Sequence, residues 1–281
     1  MNGILIVDKE MGKTSFDIIR DVRKKYNIKK VGHIGTLDPM ATGVLPVLIG
    51  EATKLSDYLI EHDKEYIVEL ELGIKTDTGD IEGKVIEKRE LKKIEIEEIE
   101  KILNTFIGES NQIPPMYSAS KVNRKKLYEI ARKGKTIERT PRKINIYNIK
   151  ILGIEKDQNG CAKIIKYKVN CSKGTYIRSL CEDIAEKLGT CGYMKNLRRT
   201  KVGKFTLKQK DKFLSIEEIL KENCSYELKE GEYKKVVNGV GIKVKLQNGI
   251  VKIYNKGNFI GVGEVKNNIL KRKIILDENK K

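Results

Sequence analysis

The sequence predicts an α+β protein, with a large domain of interleaved helices and strands followed by a small β module. Three observations carry this reading. Apolar residues alternate with polar ones over 66–72 and 165–171, the period of a half-buried strand. They recur at helical spacing over 18–26, 99–106 and 177–188. From about Gly231 the chain breaks into short apolar runs separated by Asn- and Gly-rich turns. At 281 residues, one large and one small unit are expected, placed at 1–212 and 229–281.

The elements follow in order. Ile4 to Val7 is a short strand, and Thr14 or Ser15 opens a helix carrying Ile18, Ile19, Val22 and Tyr26 on one stripe. A helix over Ala52 to Ile60 comes next, followed by a strand with Tyr66, Val68, Leu70 and Leu72 on its apolar face. An amphipathic helix over 91–107 presents Ile99, Ile102, Leu103 and Phe106 and stops at Gly108. Ile165, Tyr167, Val169 and Cys171 line another strand, after which Gly174 turns the chain into a helix bearing Ile177, Leu180, Cys181, Ile184 and Leu188, closed by Gly189. The segments 242–246, 250–254, 259–265 and 269–276, joined by Asn248-Gly249, 255–257 and Asn267-Asn268, read as an all-β module built from hairpins.

Composition narrows the partners. Lys+Arg number 57 against 39 Asp+Glu, a net charge of +18, which predicts attraction to polyanions. The five cysteines contain no C-x-x-C pair, so neither a disulfide framework nor a zinc ribbon is indicated, and a reducing compartment is expected. No apolar run near the start is long enough for a signal peptide or a membrane span, so the chain reads as soluble and cytoplasmic.

Residues 32–50, GHIGTLDPMATGVLPVLIG, stand apart in a chain that is 34% charged, because they hold one carboxylate, Asp38, and no lysine or arginine. Glycines on either side permit sharp turns that would present this acid into a protected cleft, although a bare Asp-Pro is more often only a turn. Two tempting motifs fail. GKTS at 12–15 lacks the glycine a phosphate loop requires at position 7, where Val7 stands, and TDTGD at 76–80 lacks calcium-loop spacing. Lys121 to Lys150 holds eleven Lys or Arg and two Glu, 11 − 2 = +9, half of the net charge in thirty residues. Without further context, Tyr66 is a core residue and Arg178 a surface partner of Glu182 one helical turn away.

The longer strings alter those readings. The 32–50 segment closely resembles the catalytic motif of the pseudouridine synthases of the bacterial tRNA pseudouridine-55 type, G-H-x-G-T-L-D-P-x-A-x-G-V-L, and every fixed position is present. The start is similar to the family's K-P-x-G-x-T-S, with Glu10 in place of the proline. QIPPMYSASK (112–121) resembles Q-x-P-P-x-Y-S-A-x-K, with Ser120 and then Arg124 departing from the common pattern, and GTYIRSLCEDIA resembles G-T-Y-I-R-x-L. The resemblance is strong over 1 to about 210 and architectural beyond it. It implies a mixed, mostly antiparallel sheet with flanking helices, crossed by the active cleft, and a C-terminal β module of PUA-like type.

The resemblance also implies roles. Asp38 is the nucleophile, Arg178 pairs with it, and Tyr66 stacks on the target uracil. Tyr176 and Leu197 shape the pocket, and His33 meets the RNA beside the flipped nucleotide, while His62 is expected at the surface. The loop at about 112–143 clamps RNA, with Lys121, Arg124, Lys125, Lys126, Arg139, Arg142 and Lys143 on phosphate, joined by Arg198 and Arg199. Isomerising uridine needs no redox change or net energy input, so neither cofactor nor metal is expected. The partner is tRNA, through its T stem-loop, and the protein is expected to be a monomer without an obligatory protein partner. Two other readings are kept apart from this one: a guide-RNA-dependent relative of the dyskerin kind, and a non-catalytic RNA-binding or RNA-folding protein.

Overall fold

The computed structural model describes residues 1–60, 62–118, 121–122, 125–131 and 134–276, with the backbone alone at 121, 125, 126 and 128. Among the described residues the largest sheet has ten strands. Its strands run in the order Phe213–Ser215, Gly3–Lys9, Thr42–Ile49, Gly192–Val202, Lys64–Leu72, Ala162–Cys171, Arg142–Lys156 and Gly108–Gln112, with Val31–His33 beside Thr42–Ile49 and Phe205–Thr206 beside Gly192–Val202. All these pairings are antiparallel except one: Gly192–Val202 meets Thr42–Ile49 in parallel, over Arg198↔Thr42 and Arg199↔Gly43.

Burial explains why some strands alternate and others do not. Lys64–Leu72 buries Tyr66, Val68 and Leu70 against helices Ile96–Asn104 and Ile177–Lys187, while its intervening Glu65, Ile67 and Glu69 are half-buried. Gly3–Lys9 and Thr42–Ile49 are covered on both faces. Leu5, Leu45, Val47 and Ile49 pack on helix Ser15–Tyr26, whereas Ile4, Ile6, Val44 and Leu48 face a second core, so these strands read as continuous apolar runs. That helix opens as expected: the Thr14 hydroxyl accepts from the Asp17 N–H, and the Asp17 carboxylate accepts from the Thr14 N–H.

The last strands form a separate sheet in the order Ser225–Glu227, Gly249–Asn255, Asn258–Lys266, Ile269–Ile275 and Ile242–Lys243. It does not stand alone, because Ile250, Val262 and Ile274 share the second core with Ile4, Leu48, Leu55 and Phe205.

Three expectations are corrected. The 91–107 helix is confined to Ile96–Asn104, since Leu91 and Ile94 reach the core from non-helical backbone and Glu95 begins the helix. The 52–60 helix is a 3-10 turn, Gly50–Leu55, continuing into Ser56–Ile60. The C-terminal unit is not all β: Glu232–Val237 is a helix that buries Val236 and Val237, and Ser225–Glu227 adds a parallel strand ahead of position 229.

Candidate active site

The isolated carboxylate sits where two kinds of constraint meet. Asp38 lies in the loop between Val31–His33 and Thr42–Ile49, flanked by Leu37, Met40 and Ala41, all buried in the core that contains Tyr66 and Leu197. The Ala41 N–H donates to the Asp38 carbonyl at 3.1 Å, closing a tight turn. The 9–15 segment, which fails as a phosphate loop, braces both flanks of the acid. The buried Ser15 hydroxyl accepts from the Leu37 N–H at 2.9 Å and donates to the Leu37 carbonyl at 3.1 Å. On the other side, the Lys9 ammonium and the Gly12 N–H each donate to the Pro39 carbonyl at 2.9 Å.

Arg178 reaches this acid from 140 residues away in sequence. It occupies the first turn of helix Ile177–Lys187, whose start at Tyr176 lacks a side-chain cap of its own. Gln112 supplies the fixing contact. Its amide oxygen accepts from the Tyr176 N–H at 2.7 Å and its amide nitrogen donates to the Tyr176 carbonyl at 3.0 Å, while the Ser179 hydroxyl donates to the Ile113 carbonyl at 3.1 Å. The end of strand Gly108–Gln112 is thus knitted to the corner that presents the arginine.

The guanidinium serves four acceptors. Its Nε lies 3.1 Å from Asp38 Oδ2 and its Nη2 3.3 Å from Asp38 Oδ1, a two-point grip on the carboxylate. Nη2 also donates to the Tyr117 carbonyl at 2.6 Å, and Nη1 to the Thr78 carbonyl at 3.2 Å, with Asp80 Oδ2 at 3.5 Å. The Arg178 side chain is 6% exposed and that of Asp38 32%, so the pair has a buried cation and a carboxylate facing open space. Asp80 is absent from the sequence-based expectation. Its signal is the TDTGD string, which sequence reasoning tests only as a calcium loop. The Thr78 hydroxyl and the Glu82 N–H both donate to its Oδ1, and the Gly79 carbonyl accepts from the Met194 N–H, which fastens this turn to Gly192–Val202.

Electrostatics at Asp38 are opposed. Burial pushes its carboxyl above the usual range, Arg178 pulls it back, Asp80 pushes it up again and Lys9 offsets part of that. Lys9 itself is lowered to about 8 by burial, with Asp38 and Glu82 acting the other way. Among the described residues no group of three or more His, Cys, Asp or Glu is arranged to hold a metal ion.

The structure brings Asp38, Arg178, Tyr66 and Leu197 to one region and separates others. Tyr66 and Leu197 are buried in the core against Leu37, and Tyr176 is half-buried at the helix start. His33 is half-buried, and burial with the nearby Arg199 lowers its imidazole. His62 is half-buried and meets Tyr58 edge-on, rather than standing free at the surface. Arg142 and Lys143 are exposed, whereas Arg139 is half-buried and donates to the Pro114 carbonyl at 3.1 Å. Arg124 and the side chains of Lys121, Lys125 and Lys126 lie outside the described residues. Arg198 is 2.9 Å from Asp8 and donates to Thr42. Arg199 overturns its expectation outright: at 0% exposure it has no surface to offer a phosphate, because strand alternation turns it inward beside Leu197.

Two family models match. Residues 23–177 match the TruB family pseudouridylate synthase N-terminal domain, and 178–242 the tRNA pseudouridylate synthase B C-terminal domain. A protein of Clostridium tetani named tRNA pseudouridine synthase B is 44% identical, with 94% of this chain and 96% of that protein aligned. Its namesake from Clostridium kluyveri is 48% identical over 94% and 95% of the two chains. Among solved structures, a chain of an H/ACA RNP bound to a substrate RNA containing 2′-deoxyuridine superposes with a TM-score of 0.68 at 21% identity, covering 99% of this chain and 86% of that one. A chain of a Cbf5–Nop10–Gar1 complex gives 0.66 at 23%, covering 93% and 78%. These two show the fold.

Proposed function

This chain belongs to the TruB family of pseudouridylate synthases, and from that premise we propose that it isomerises uridine-55 in the T loop of tRNA to pseudouridine, with Asp38 as the reacting group. The observation that carries the residue assignment is the two-point contact of Arg178 on Asp38, at 3.1 and 3.3 Å, with the carboxylate left partly open toward the cleft.

Pseudouridine formation breaks the N1–C1′ bond, turns the base and rejoins it through C5. An ionised carboxylate is needed whether it attacks C1′ or promotes elimination, and burial alone works against ionisation. Arg178 and Lys9 supply the compensating positive charge. A target base must leave its stack to reach this group, and the buried Tyr66, Leu197 and Leu37 form the apolar wall beside it. The exposed Arg142 and Lys143 belong to the basic run of 121–150 and suit the phosphates of the clamped loop. In this reading the protein is a cytoplasmic monomer acting on tRNA without a guide RNA or protein partner, and the Ser225–Ile275 sheet is a PUA-like module gripping the same substrate.

The deciding experiment incubates the purified chain with an unmodified tRNA transcript and maps pseudouridine. Modification at the T-loop uridine, lost in Asp38→Asn, supports the reading. Modification only when a guide RNA is added, or none at all, overturns it.

A further inference from the structure

Arg199 is a fully buried cation, and among the described residues no carboxylate lies within 4 Å of it. Burying such a charge is costly unless its donors are fully used. Their use is specific. Nε donates to the Val44 carbonyl at 2.8 Å and Nη2 to the Gly35 carbonyl at 2.9 Å, so one guanidinium ties the chain just before the Asp38 turn to the chain just after it. Gly35 makes room for it, with φ +73° and a position where a Cβ would stand 3.1 Å from Nη1. Across the sheet, Arg199 is the register partner of Tyr66, which is buried in the same core as Leu37 of the Asp38 loop.

We propose that Arg199 is a positioning residue for the isomerisation: its planar fork ties the two ends of the Asp38 loop to each other and to the strand that pairs with Tyr66, so that nucleophile and base-facing ring are held as one unit. A lysine could carry the same charge but could not bridge Gly35 and Val44 from a single nitrogen with the same geometry. Burial raises the Tyr66 hydroxyl to about 12 while Arg199 opposes the shift, so the phenol stays protonated. The inference rests on the assignment of Asp38 and Tyr66 made above.

The test uses the full chain and an unmodified tRNA transcript. Arg199→Lys is expected to lower kcat per folded molecule by about 10–100-fold, the scale of a sub-ångström to one-ångström misplacement. KM and the salt dependence of tRNA binding should stay near those of the parent. Gly35→Ala, which brings a Cβ to 3.1 Å from Nη1 and so disturbs the same bridge, is expected to lower kcat in the same range with KM near the parent's. The double variant should lose less than the sum, since both changes disturb one contact. A parental kcat in Arg199→Lys, a drop in tRNA affinity with a shallower salt slope, or a parental kcat in Gly35→Ala each overturns the proposal. Should Arg199→Lys fail to fold, the kcat of Gly35→Ala decides alone. Asp38→Asn separates the premises: an active Asp38→Asn sinks the assignment itself, whereas an inactive one beside a normal Arg199→Lys sinks only this inference.

Discussion

Arg178→Lys keeps a positive charge beside Asp38 and removes the planar fork, so it isolates what geometry contributes. The arginine serves Asp38, Asp80, Thr78 and Tyr117 through Nε, Nη1 and Nη2. A lysine offers one nitrogen on a shorter reach and cannot sit between acceptors that approach from three segments. If two of these acceptors lose their donor, at about 1–3 kcal/mol for each buried group, the site loses about 2–6 kcal/mol. Part of that loss is absorbed by relaxation and by water entering the open side of Asp38. If about 2–4 kcal/mol falls on the transition state, kcat drops about 30–1000-fold. Binding should change little, because the 6%-exposed guanidinium is turned away from solvent and has no phosphate to meet. The assay is single-turnover pseudouridine formation at saturating enzyme, alongside tRNA affinity by filter retention. A lysine variant within about threefold of the parent rate would return Arg178 to a structural ion pair. An affinity loss as large as the rate loss would instead make it an RNA contact.

Asp38→Asn should abolish product, with tRNA affinity kept within a few fold. Because the folded-state pKa of Asp38 is raised, its stabilising contribution is present at low pH and lost as pH rises through that pKa, so at pH 7 the ionised acid is a burden on the fold. The asparagine variant should therefore melt no lower than the parent, and a fall of several degrees would refute this account. Lys9 gives the opposite profile. Folding lowers it from 10.5 to about 8, so between those values the unfolded chain binds more protons and stability rises with pH. Urea midpoints measured from pH 7.5 to 10 should climb in the parent and flatten in Lys9→Met; parallel curves would contradict the burial of this ammonium. The paired reversal Arg142→Glu and Lys143→Glu should weaken tRNA binding and reduce its log–log salt slope by about 0.7 for each phosphate no longer neutralised. An unchanged slope would take these exposed residues out of the RNA interface.

The legible parts of this protein are those in which neighbours in sequence are also neighbours in mechanism. Alternation over 66–72 and 165–171 announces two central strands because one residue in two faces a core. The boundaries at 91–107 are less legible, because an apolar residue packs equally well from a helix or from the extended segment before it, as Leu91 and Ile94 do. The helix Glu232–Val237 goes unread, because its β-branched Val236 and Val237 carry little helix preference and only tertiary burial fixes them there. In the site, Asp38 stands out because its surroundings lack other charges. Asp80, Gln112 and Ser15 do not, because each acts through a partner 22 to 98 residues away and nothing local distinguishes it.

Arg198 and Arg199 show most directly what a string of residues conceals. Side by side in LRRT they look equivalent, two cations in a basic protein, and phosphate is the natural partner for both. A strand sends neighbours to opposite faces, so the pair must divide. Arg198 turns toward Asp8 and stays partly exposed, while Arg199 enters the core opposite Tyr66. The parallel pairing of Arg198↔Thr42 and Arg199↔Gly43 puts that division where the chain leaves the Asp38 turn. Gly43 is needed there: with φ +105°, it has the Arg199 carbonyl 2.2 Å from where a Cβ would be. The glycine of A-T-G-V-L and the second arginine of L-R-R therefore answer a single requirement, close approach of two backbones at the foot of the Asp38 loop. If that is so, Gly43→Ala should damage catalysis much as Arg199→Lys does, by displacing the same strand pair. A fully active Gly43→Ala enzyme would show that the loop tolerates the movement this packing forbids.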